Sequence, residues 1–269
     1  LNCIIDFITT VDVLTTKSFL AKKYNYCRPV IDAAATKSGI CAVNMRHCLI
    51  EHLQQDEVYV PNDVVIGRID GGGDGILLYG TNAVGKTSLI RAIGVSVIMA
   101  QTGMYVPCSS FVFKPYTAIF SRILGNDNIF KGLSTFAVEM SELRVILKLA
   151  DENSLILGDE LCSGTEMESA LSIFVAGLVE LDKKRSSYIF ATHFHEIVDY
   201  EEIVQLSRLT QMHMEVNYDR ELDCLVYDRK LRDGPGNRMY GLEVCKSLYL
   251  PEDFLEKAYT IRNKYNQET

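Results

Sequence analysis

The sequence predicts an α/β fold in which helices cover both faces of a mainly parallel β-sheet. From Arg46 onward, short apolar runs alternate with segments whose apolar residues recur at helical spacing, which is typical of buried strands joined by helices. The clearest runs are 76–79, 155–157 and 188–191. The composition agrees, because 48% apolar and 23% charged residues over 269 positions describe a globular chain with a large core.

The charge and the cysteines exclude several other classes of protein. A net charge of −8 argues against binding nucleic acid through the overall field, so any DNA contact is expected to be local or made by parts outside this chain. The 8 cysteines include no C-x-x-C pair, which predicts neither a zinc site nor a disulfide framework but a reducing, intracellular compartment. No apolar run is long enough to cross a membrane, and the chain begins at Leu1, so we expect a soluble piece of a longer protein.

The first element is a helix that ends before about residue 27. One helical face carries Val13, Leu14, Leu20, Ala21 and Tyr24. We interpret residues 1–40 as the end of a helical domain and residues 41–236 as the α/β domain. Within the latter, three helices are predicted from apolar stripes, namely Leu89, Ile90, Ile93 and Val97, then Met140, Leu143, Leu147 and Ala150, and then Leu171, Phe174, Val175 and Leu178.

The last third of the chain predicts a hairpin and two short helices. Alternating segments at 214–218 and 224–230 indicate an antiparallel pair at a sheet edge. Helices are predicted at about 241–248 and 252–265, with Pro251 at the start of the second, so residues 237–269 form a small helix-turn-helix. The second helix begins with Glu252 and Asp253, whose negative charge disfavours binding in the major groove of DNA, so a subunit contact is favoured. A helical hairpin that serves only for packing is the alternative.

A phosphate-binding loop follows the first apolar run. Gly80-Thr81-Asn82-Ala83-Val84-Gly85-Lys86-Thr87 matches G-x-x-x-x-G-K-[ST] between a predicted strand and a predicted helix, which argues against a chance glycine loop. The glycines allow backbone N–H groups to surround a phosphate, and the helix N-terminus adds positive potential. Lys86 would reach the β- and γ-phosphate oxygens, and the Thr87 hydroxyl would bind Mg²⁺. This loop and Ser88 are therefore the predicted nucleotide site.

Asp159 and Glu160 end the second apolar run. Adjacent carboxylates at the end of a buried strand are costly unless a cation or water satisfies them. Together with the phosphate loop, they predict that Asp159 holds Mg²⁺ through a water and that Glu160 orients or deprotonates the attacking water. Such a pair is commonplace on its own, so this interpretation depends on the loop.

His193 and Ser134 are the remaining candidates. His193 follows the third apolar run, at the sheet edge where ligands bind, and is interpreted as a sensor of the γ-phosphate. A solvated loop histidine and a metal site with His195 and Glu196 are the alternatives, and the metal is disfavoured because further ligands at a recognisable spacing are missing. Ser134 precedes a predicted helix, where a hydroxyl ordinarily caps the first turn.

Taken together, these motifs resemble the ATPase domain of the MutS family of DNA mismatch-repair proteins, a branch of the ABC ATPase superfamily. The likeness covers nearly the whole chain. Its motifs, in order, are Arg46-His47-Cys48-Leu49-Ile50-Glu51, Val60-Pro61-Asn62-Asp63, the phosphate loop, Gly103-Met104-Tyr105-Val106-Pro107, Ser134-Thr135-Phe136 with Glu139-Met140, and Asp159-Glu160 with Gly164-Thr165. The resemblance implies a P-loop NTPase fold of ABC type, an ATP/ADP ligand and Mg²⁺.

The resemblance also implies roles that the residue pattern alone does not. The domain would act as a dimer, most simply of identical subunits, with Ser134 of one subunit reaching the γ-phosphate held by the partner's Lys86. Asn82 would order γ-phosphate contacts, His193 would be the family's switch histidine, and Tyr59 would stack on the adenine ring. Arg229, on the predicted hairpin, would approach the base. Mismatched or damaged DNA would be bound by domains outside this chain.

The chain departs from the family pattern at two places. Thr81 stands where the family has proline, and Ala83-Val84 replaces two positions that carry little bulk, which puts the backbone approach to phosphate in question. Cys162-Ser163-Gly164-Thr165 lacks the usual arginine after the acids. The cysteine-containing form, with Glu166 after Thr165, is closer to organellar and large-virus members of the family than to bacterial ones.

The leading hypothesis is a Mg-dependent ATPase module that hydrolyses ATP at a dimer interface and thereby controls a DNA clamp. The first alternative is a nucleotide-gated dimerisation module with little hydrolysis, against which Glu160 and His193 argue. The second is another ABC-type enzyme, a DNA-structural ATPase or a transporter motor. Those enzymes carry Leu-Ser-Gly-Gly where this chain has Leu133-Ser134-Thr135-Phe136.

Overall fold

The computed structural model describes the chain except residues 54–57, 68–71, 82–83, 124–134, 163–164, 220–223, 237–240, 248 and 266–269. The described helices are α1 (Asn2–Tyr24), α2 (Ile50–Leu53), α3 (Lys86–Gln101), α4 (Thr135–Leu149), α5 (Met167–Lys183), α6 (Glu201–Val204), α7 (Gly241–Ser247) and α8 (Glu252–Tyr265), with a 3₁₀-helix at His195–Asp199. The described strands are β1 (Val30–Ile31), β2 (Gly39–Met45), β3 (Asn62–Ile66), β4 (Gly75–Tyr79), β5 (Ser110–Lys114), β6 (Ala118–Arg122), β7 (Ser154–Asp159), β8 (Ser187–Thr192), β9 (Leu209–Asp219) and β10 (Cys224–Asp233).

A six-stranded sheet forms the centre of the molecule. Its strand order is β10-β9-β4-β8-β7-β6, and every neighbouring pair is parallel except β9 and β10. Strand β8 lies between β4 and β7. Parallel strands end at the same edge, so the segments that follow β4, β7 and β8 meet there. We call this edge, which carries Lys86, Asp159, Glu160 and His193, the carboxyl edge.

A second sheet accompanies the first. Strands β1, β5, β2 and β3 form it in that order, with antiparallel pairing of β2 to both β5 and β3. A single sheet was predicted from the sequence, and the second sheet was missed. The reason is visible in β3, where buried and exposed residues alternate, so it lacks the continuous apolar run that marks a strand buried on both faces.

Helices cover both faces of the six-stranded sheet, as predicted. On one face, α3 packs its buried residues Leu89, Ile90, Ile93 and Val97 in the same core as Phe111 and Phe113 of the second sheet. On the other face, Leu143 of α4 and Leu171, Phe174 and Leu178 of α5 share a core with Leu77 and Phe190 of the strands. Burial of each such side chain contributes about 1.5–3 kcal/mol, which makes these two cores the main source of stability.

The first helix, the hairpin at the sheet edge and the two C-terminal helices agree with the predicted elements. Helix α1 ends at Asn25, which adopts a left-handed φ of 53°, and only Ala21 of α1 is buried, whereas Leu14 is 53% exposed. Strands β9 and β10 form the predicted antiparallel pair, and α7 and α8 the two C-terminal helices, with Leu248 outside the described residues. The division at residues 40 and 236 stays a prediction. Among the described helices, none has the length and apolar character that crossing a membrane requires.

Candidate nucleotide site

Lys86 lies at the junction of the phosphate loop and α3. Gly85 precedes it with a φ of 103°, a conformation that strains residues with a side chain, so the helix can begin directly at Lys86. The Lys86 ammonium is buried and donates to the carbonyl oxygens of Gly80 at 2.7 Å and Thr81 at 2.9 Å. Burial lowers the pKa of Lys86 to about 8, although the charges of Glu160 and Asp159 oppose this shift.

Thr87 and Asp159 form a hydrogen-bonded pair beside the lysine. The Thr87 hydroxyl donates to Asp159 Oδ2 at 2.5 Å. Asp159 is buried, and its Oδ1 has no hydrogen-bond partner among the described residues. Gly158, which precedes Asp159, allows β7 to pack closely on Phe190 of β8, since a Cβ there would lie 2.1 Å from the Phe190 ring. A hydroxyl and a carboxylate with an unpaired oxygen are hard oxygen ligands, so these two residues fit Mg²⁺.

Glu160 and His193 form the next pair along the carboxyl edge. Glu160 adopts a left-handed φ of 51°, uncommon for a residue with a side chain, and its N–H donates to Ala191 O at 3.0 Å. Glu160 Oε1 lies 2.7 Å from His193 Nε2, and that nitrogen lies 3.3 Å from Lys86 Nζ. Because β8 lies between β4 and β7, His193 contacts both the lysine and the carboxylate.

Tyr59 and Arg229 line a pocket next to the phosphate loop. Burial is the main cause that raises the pKa of Tyr59 to about 12. Arg229 lies at an irregularity of β10, between Tyr227 and Leu231, and has a left-handed φ of 53°. The other lining residues are Ile50, Val60, Asn62, Val84, Gly85, Ser88, Leu89 and Met214. Gly85 and Ser88 are thus shared between this pocket and the phosphate loop.

Asn62 is a site residue that the sequence analysis did not assign. It is buried, its amide Nδ2 donates to Arg229 O at 3.0 Å, and its Oδ1 accepts from Leu231 N at 2.8 Å. The side chain therefore holds the irregular part of β10 over the pocket. The signal was available in the sequence, because Asn62 shares the inward face of β3 with Val64 and Ile66 and is a polar residue at an apolar position.

Other predicted site residues lie outside the described residues or are engaged elsewhere. Asn82, Ala83 and Ser134 are not among the described residues. His195 stacks on Tyr79, with ring centroids 4.9 Å apart. Within the described part of the chain, no group of three or more His, Cys, Asp or Glu side chains could hold a metal ion.

Comparison with known proteins identifies the family. The profile of the family described as MutS domain V matches residues 76–266, which span β4 to α8 and contain Lys86, Asp159, Glu160 and His193. The chain belongs to the MutS family. The resemblance predicted from the motifs is confirmed, and so is the predicted α/β fold class with its mainly parallel sheet.

The relatives include viral, mitochondrial and bacterial MutS proteins. The chain is 35% identical, over its full length, to the putative DNA mismatch repair protein mutS homolog L359 of Acanthamoeba polyphaga mimivirus, of which it covers 27%. It is 37% identical over 98% of its length to the mitochondrial DNA mismatch repair protein mutS homolog of Sarcophyton glaucum, covering 26% of it. It is 34% identical over 97% of its length to the DNA mismatch repair protein MutS of Lactobacillus gasseri, covering 30%. The chain thus spans less than a third of these MutS relatives.

Proposed function

We propose that this MutS chain is a domain that binds and hydrolyses ATP, with Mg²⁺ as cofactor, in a DNA mismatch-repair protein. The observation that carries the proposal is the convergence of three strand ends at the carboxyl edge. There His193 contacts both Lys86 and Glu160, and the Thr87–Asp159 hydrogen bond lies at the neighbouring strand ends. Phosphoryl transfer needs this combination of cation, oxygen ligands and a group that orients water.

Lys86 and the phosphate loop bind the nucleotide phosphates. The ammonium exchanges its bonds to the Gly80 and Thr81 carbonyls for bonds to phosphate oxygens, and the backbone N–H groups at the start of α3 add positive potential. Thr87 and Asp159 would hold Mg²⁺, Asp159 through a water. Mg²⁺ neutralises charge that develops on the phosphate oxygens during transfer.

Glu160 orients the water that attacks the γ-phosphate in line. The new bond joins the water oxygen to phosphorus, the bond from phosphorus to the β,γ-bridging oxygen breaks, and ADP leaves with that oxygen. Glu160 accepts a proton of the attacking water as general base. His193, within hydrogen-bond distance of both Glu160 Oε1 and Lys86 Nζ, couples the position of the carboxylate to the occupancy of the phosphate site.

Tyr59 and Arg229 form the base subsite. The Tyr59 ring, which lines the pocket, would stack on adenine, and Arg229, whose backbone carbonyl accepts from Asn62, would approach the base from β10. Ser88 would lie between base and phosphates. Stacking alone distinguishes poorly between purines, so this pocket contributes affinity more than specificity.

The active unit is proposed to be a dimer with composite sites. Ser134 of one subunit would reach the γ-phosphate bound by the partner, which is the role that the family resemblance implies. Helices α7 and α8 would contribute to the subunit contact. In support, Phe254 is 54% and Ile261 is 51% exposed, and both line an apolar groove with Leu242 and Ala258.

DNA is proposed to be bound by parts of the protein outside this chain, with ATP turnover controlling a DNA clamp. The net charge of −8 supports this division of labour. A reducing intracellular compartment is proposed from the cysteines, since the structure describes Cys3, Cys27, Cys41, Cys48, Cys108, Cys162 and Cys245 as free thiols.

The hydrolytic function is tested by comparing phosphate release by the wild-type chain and Glu160→Gln. We expect the variant to bind ATP but to lose about 100-fold or more in kcat, as expected for removal of a general base. Glu196→Gln, an exposed acid three residues after His193, is the matched control and should retain full activity. Equal slow rates in wild type and Glu160→Gln would instead favour a nucleotide-gated dimerisation module.

The composite site is tested by mixing two inactive variants. Lys86→Ala removes nucleotide binding from its own site, and Ser134→Ala removes the contact offered to the partner. A mixed dimer contains one intact composite site, so mixing should restore a substantial part of the activity that each variant lacks alone. Failure of the mixture to regain activity, with each variant folded, would contradict the composite dimer.

A further inference from the structure

Glu139 is a buried carboxylate that the mechanism above does not use. It lies near the start of α4, and its side chain is 1% exposed. Arg122, the last residue of β6, donates to Glu139 Oε1 through Nη2 at 2.8 Å and is itself 7% exposed. Burying two charges costs several kcal/mol per ion, and an apolar pair of similar volume is often equally stable. Stability alone therefore does not account for this ion pair.

Arg122 connects α4 to β6, which pairs with β7, the strand that ends at Asp159. In the sheet, Arg122 pairs in register with Gly158, and Gly158 directly precedes Asp159. The ion pair therefore joins the beginning of α4 to the carboxyl edge, within one residue of the proposed Mg²⁺ ligand.

The turn after β7 contains two residues with an uncommon backbone conformation. Glu160 and Cys162 both adopt left-handed φ values, 51° and 68°, which residues with side chains rarely hold without support. Cys162 is buried, and burial, followed by the negative charge of Glu139, raises the pKa of its thiol to about 12. The Arg122–Glu139 pair lies beside the strand that leads into this turn, since Arg122 is in register with Gly158.

We propose that Glu139, paired with Arg122, is a positioning residue that keeps α4 and the turn carrying Glu160 in one fixed arrangement during ATP hydrolysis. This inference rests on the proposed function of Glu160. Glu139 does not contact nucleotide in this account, so its loss should affect kcat and leave nucleotide affinity unchanged.

Glu142 provides a matched control on the same helix. Its Oε2 lies 3.1 Å from Arg122 Nε, but its side chain is 46% exposed. Glu139→Gln should lower kcat by about 10- to 100-fold, because small displacements of a reacting group have effects of this size, while the Kd for a fluorescent ADP analogue changes less than twofold. Glu142→Gln should change neither quantity by more than about twofold.

Two further variants separate positioning from a merely structural role. Replacing both partners, Arg122→Met with Glu139→Met, leaves no unpaired buried charge and should keep the Tm close to wild type while kcat still falls. In a Glu160→Gln background, Glu139→Gln should cause no further loss, because both act on one step. A full additional loss in that background, or an unchanged kcat in the Met pair, would overturn the proposal.

The outcomes also separate this inference from the proposed function. Absence of ATP turnover by the wild-type chain would refute hydrolysis, and the positioning role with it. Wild-type turnover that Glu139→Gln leaves unchanged would refute the positioning role alone.

Discussion

The two edges of the six-stranded sheet both carry charged clusters, but the clusters are built differently. At the opposite edge, which we call the amino edge, Asp74 forms ion pairs with Lys37 and with Arg208 at 3.3 Å, and Arg208 also pairs with Asp182 at 2.7 Å. At the carboxyl edge, the Lys86 ammonium donates to backbone carbonyls. Asp159 there keeps an oxygen without a hydrogen-bond partner among the described residues.

The ion pairs of the amino edge serve stability, whereas the unpaired charges of the carboxyl edge serve ligand binding. The amino edge pairs its opposite charges with each other, and the strands β4, β8 and β9 begin beside these ion pairs. The carboxyl edge holds a buried cation and a buried carboxylate that are not paired with each other, an arrangement that phosphate and Mg²⁺ complete. Three substitutions and one change of pH test this contrast.

The largest effect is expected at the amino edge, on stability alone. Asp74→Asn leaves the buried Lys37 without its carboxylate, whereas Arg208, 41% exposed, keeps Asp182 as a partner. Loss of the Lys37 partner costs about 3–5 kcal/mol and lowers the Tm by about 10 °C. Nucleotide affinity should change less than twofold. The control is Glu180→Gln, whose ion pair with Lys183 is exposed and contributes about 0–1 kcal/mol. Calorimetry measures the Tm. An unchanged Tm in Asp74→Asn would contradict the stabilising role of the amino edge.

Lys86→Ala should produce the converse result at the carboxyl edge. Removing the only charged group assigned to the phosphates should weaken ATP binding by about 100-fold, equivalent to about 2.7 kcal/mol. The Tm should not fall in proportion, because the buried ammonium has no ion-pair partner to leave behind among the described residues. Isothermal titration calorimetry and thermal unfolding together decide this; a variant that loses stability but keeps affinity would reverse the assignment of the two edges.

Nucleotide affinity should decrease as the pH rises through about 8. The pKa of Lys86 is lowered to about 8 by burial, so the ammonium that binds phosphate is present below this pH and is lost above it. Bound phosphate favours the charged form, so binding takes up a proton, and affinity should fall by up to about tenfold between pH 8 and pH 9. Lys86→Arg, which stays protonated, should show a flat profile if it binds.

The smallest effect is expected in the base pocket. Tyr59→Leu removes the stacking ring and should weaken ATP binding by about fivefold, or about 1 kcal/mol, whereas Tyr59→Phe should bind normally. Binding of inorganic triphosphate, which has no base, should be the same in all three proteins. Equal loss of triphosphate binding in Tyr59→Leu would mean that the ring supports the loop instead of the base.

The residues of the carboxyl edge were predictable because each follows a continuous apolar run. The phosphate loop after β4, the acids after β7 and His193 after β8 combine a strong strand signal with a chemical motif, and parallel pairing then brings them together. The strand order could not be predicted, since the runs are equally apolar. Strand β3 of the second sheet was missed because its buried and exposed residues alternate, and the role of Asn62 was missed because it depends on contacts with Arg229 and Leu231 of β10.

Binding and hydrolysis of ATP at the carboxyl edge can be tested on the wild-type chain itself. Phosphate release by the wild-type chain would be followed in the presence of Mg²⁺ across a series of protein concentrations, with Lys86→Ala alongside. Turnover per subunit should rise with protein concentration, as a composite dimer site requires, and it should be lost in Lys86→Ala. Turnover that persists unchanged in folded Lys86→Ala would contradict the account.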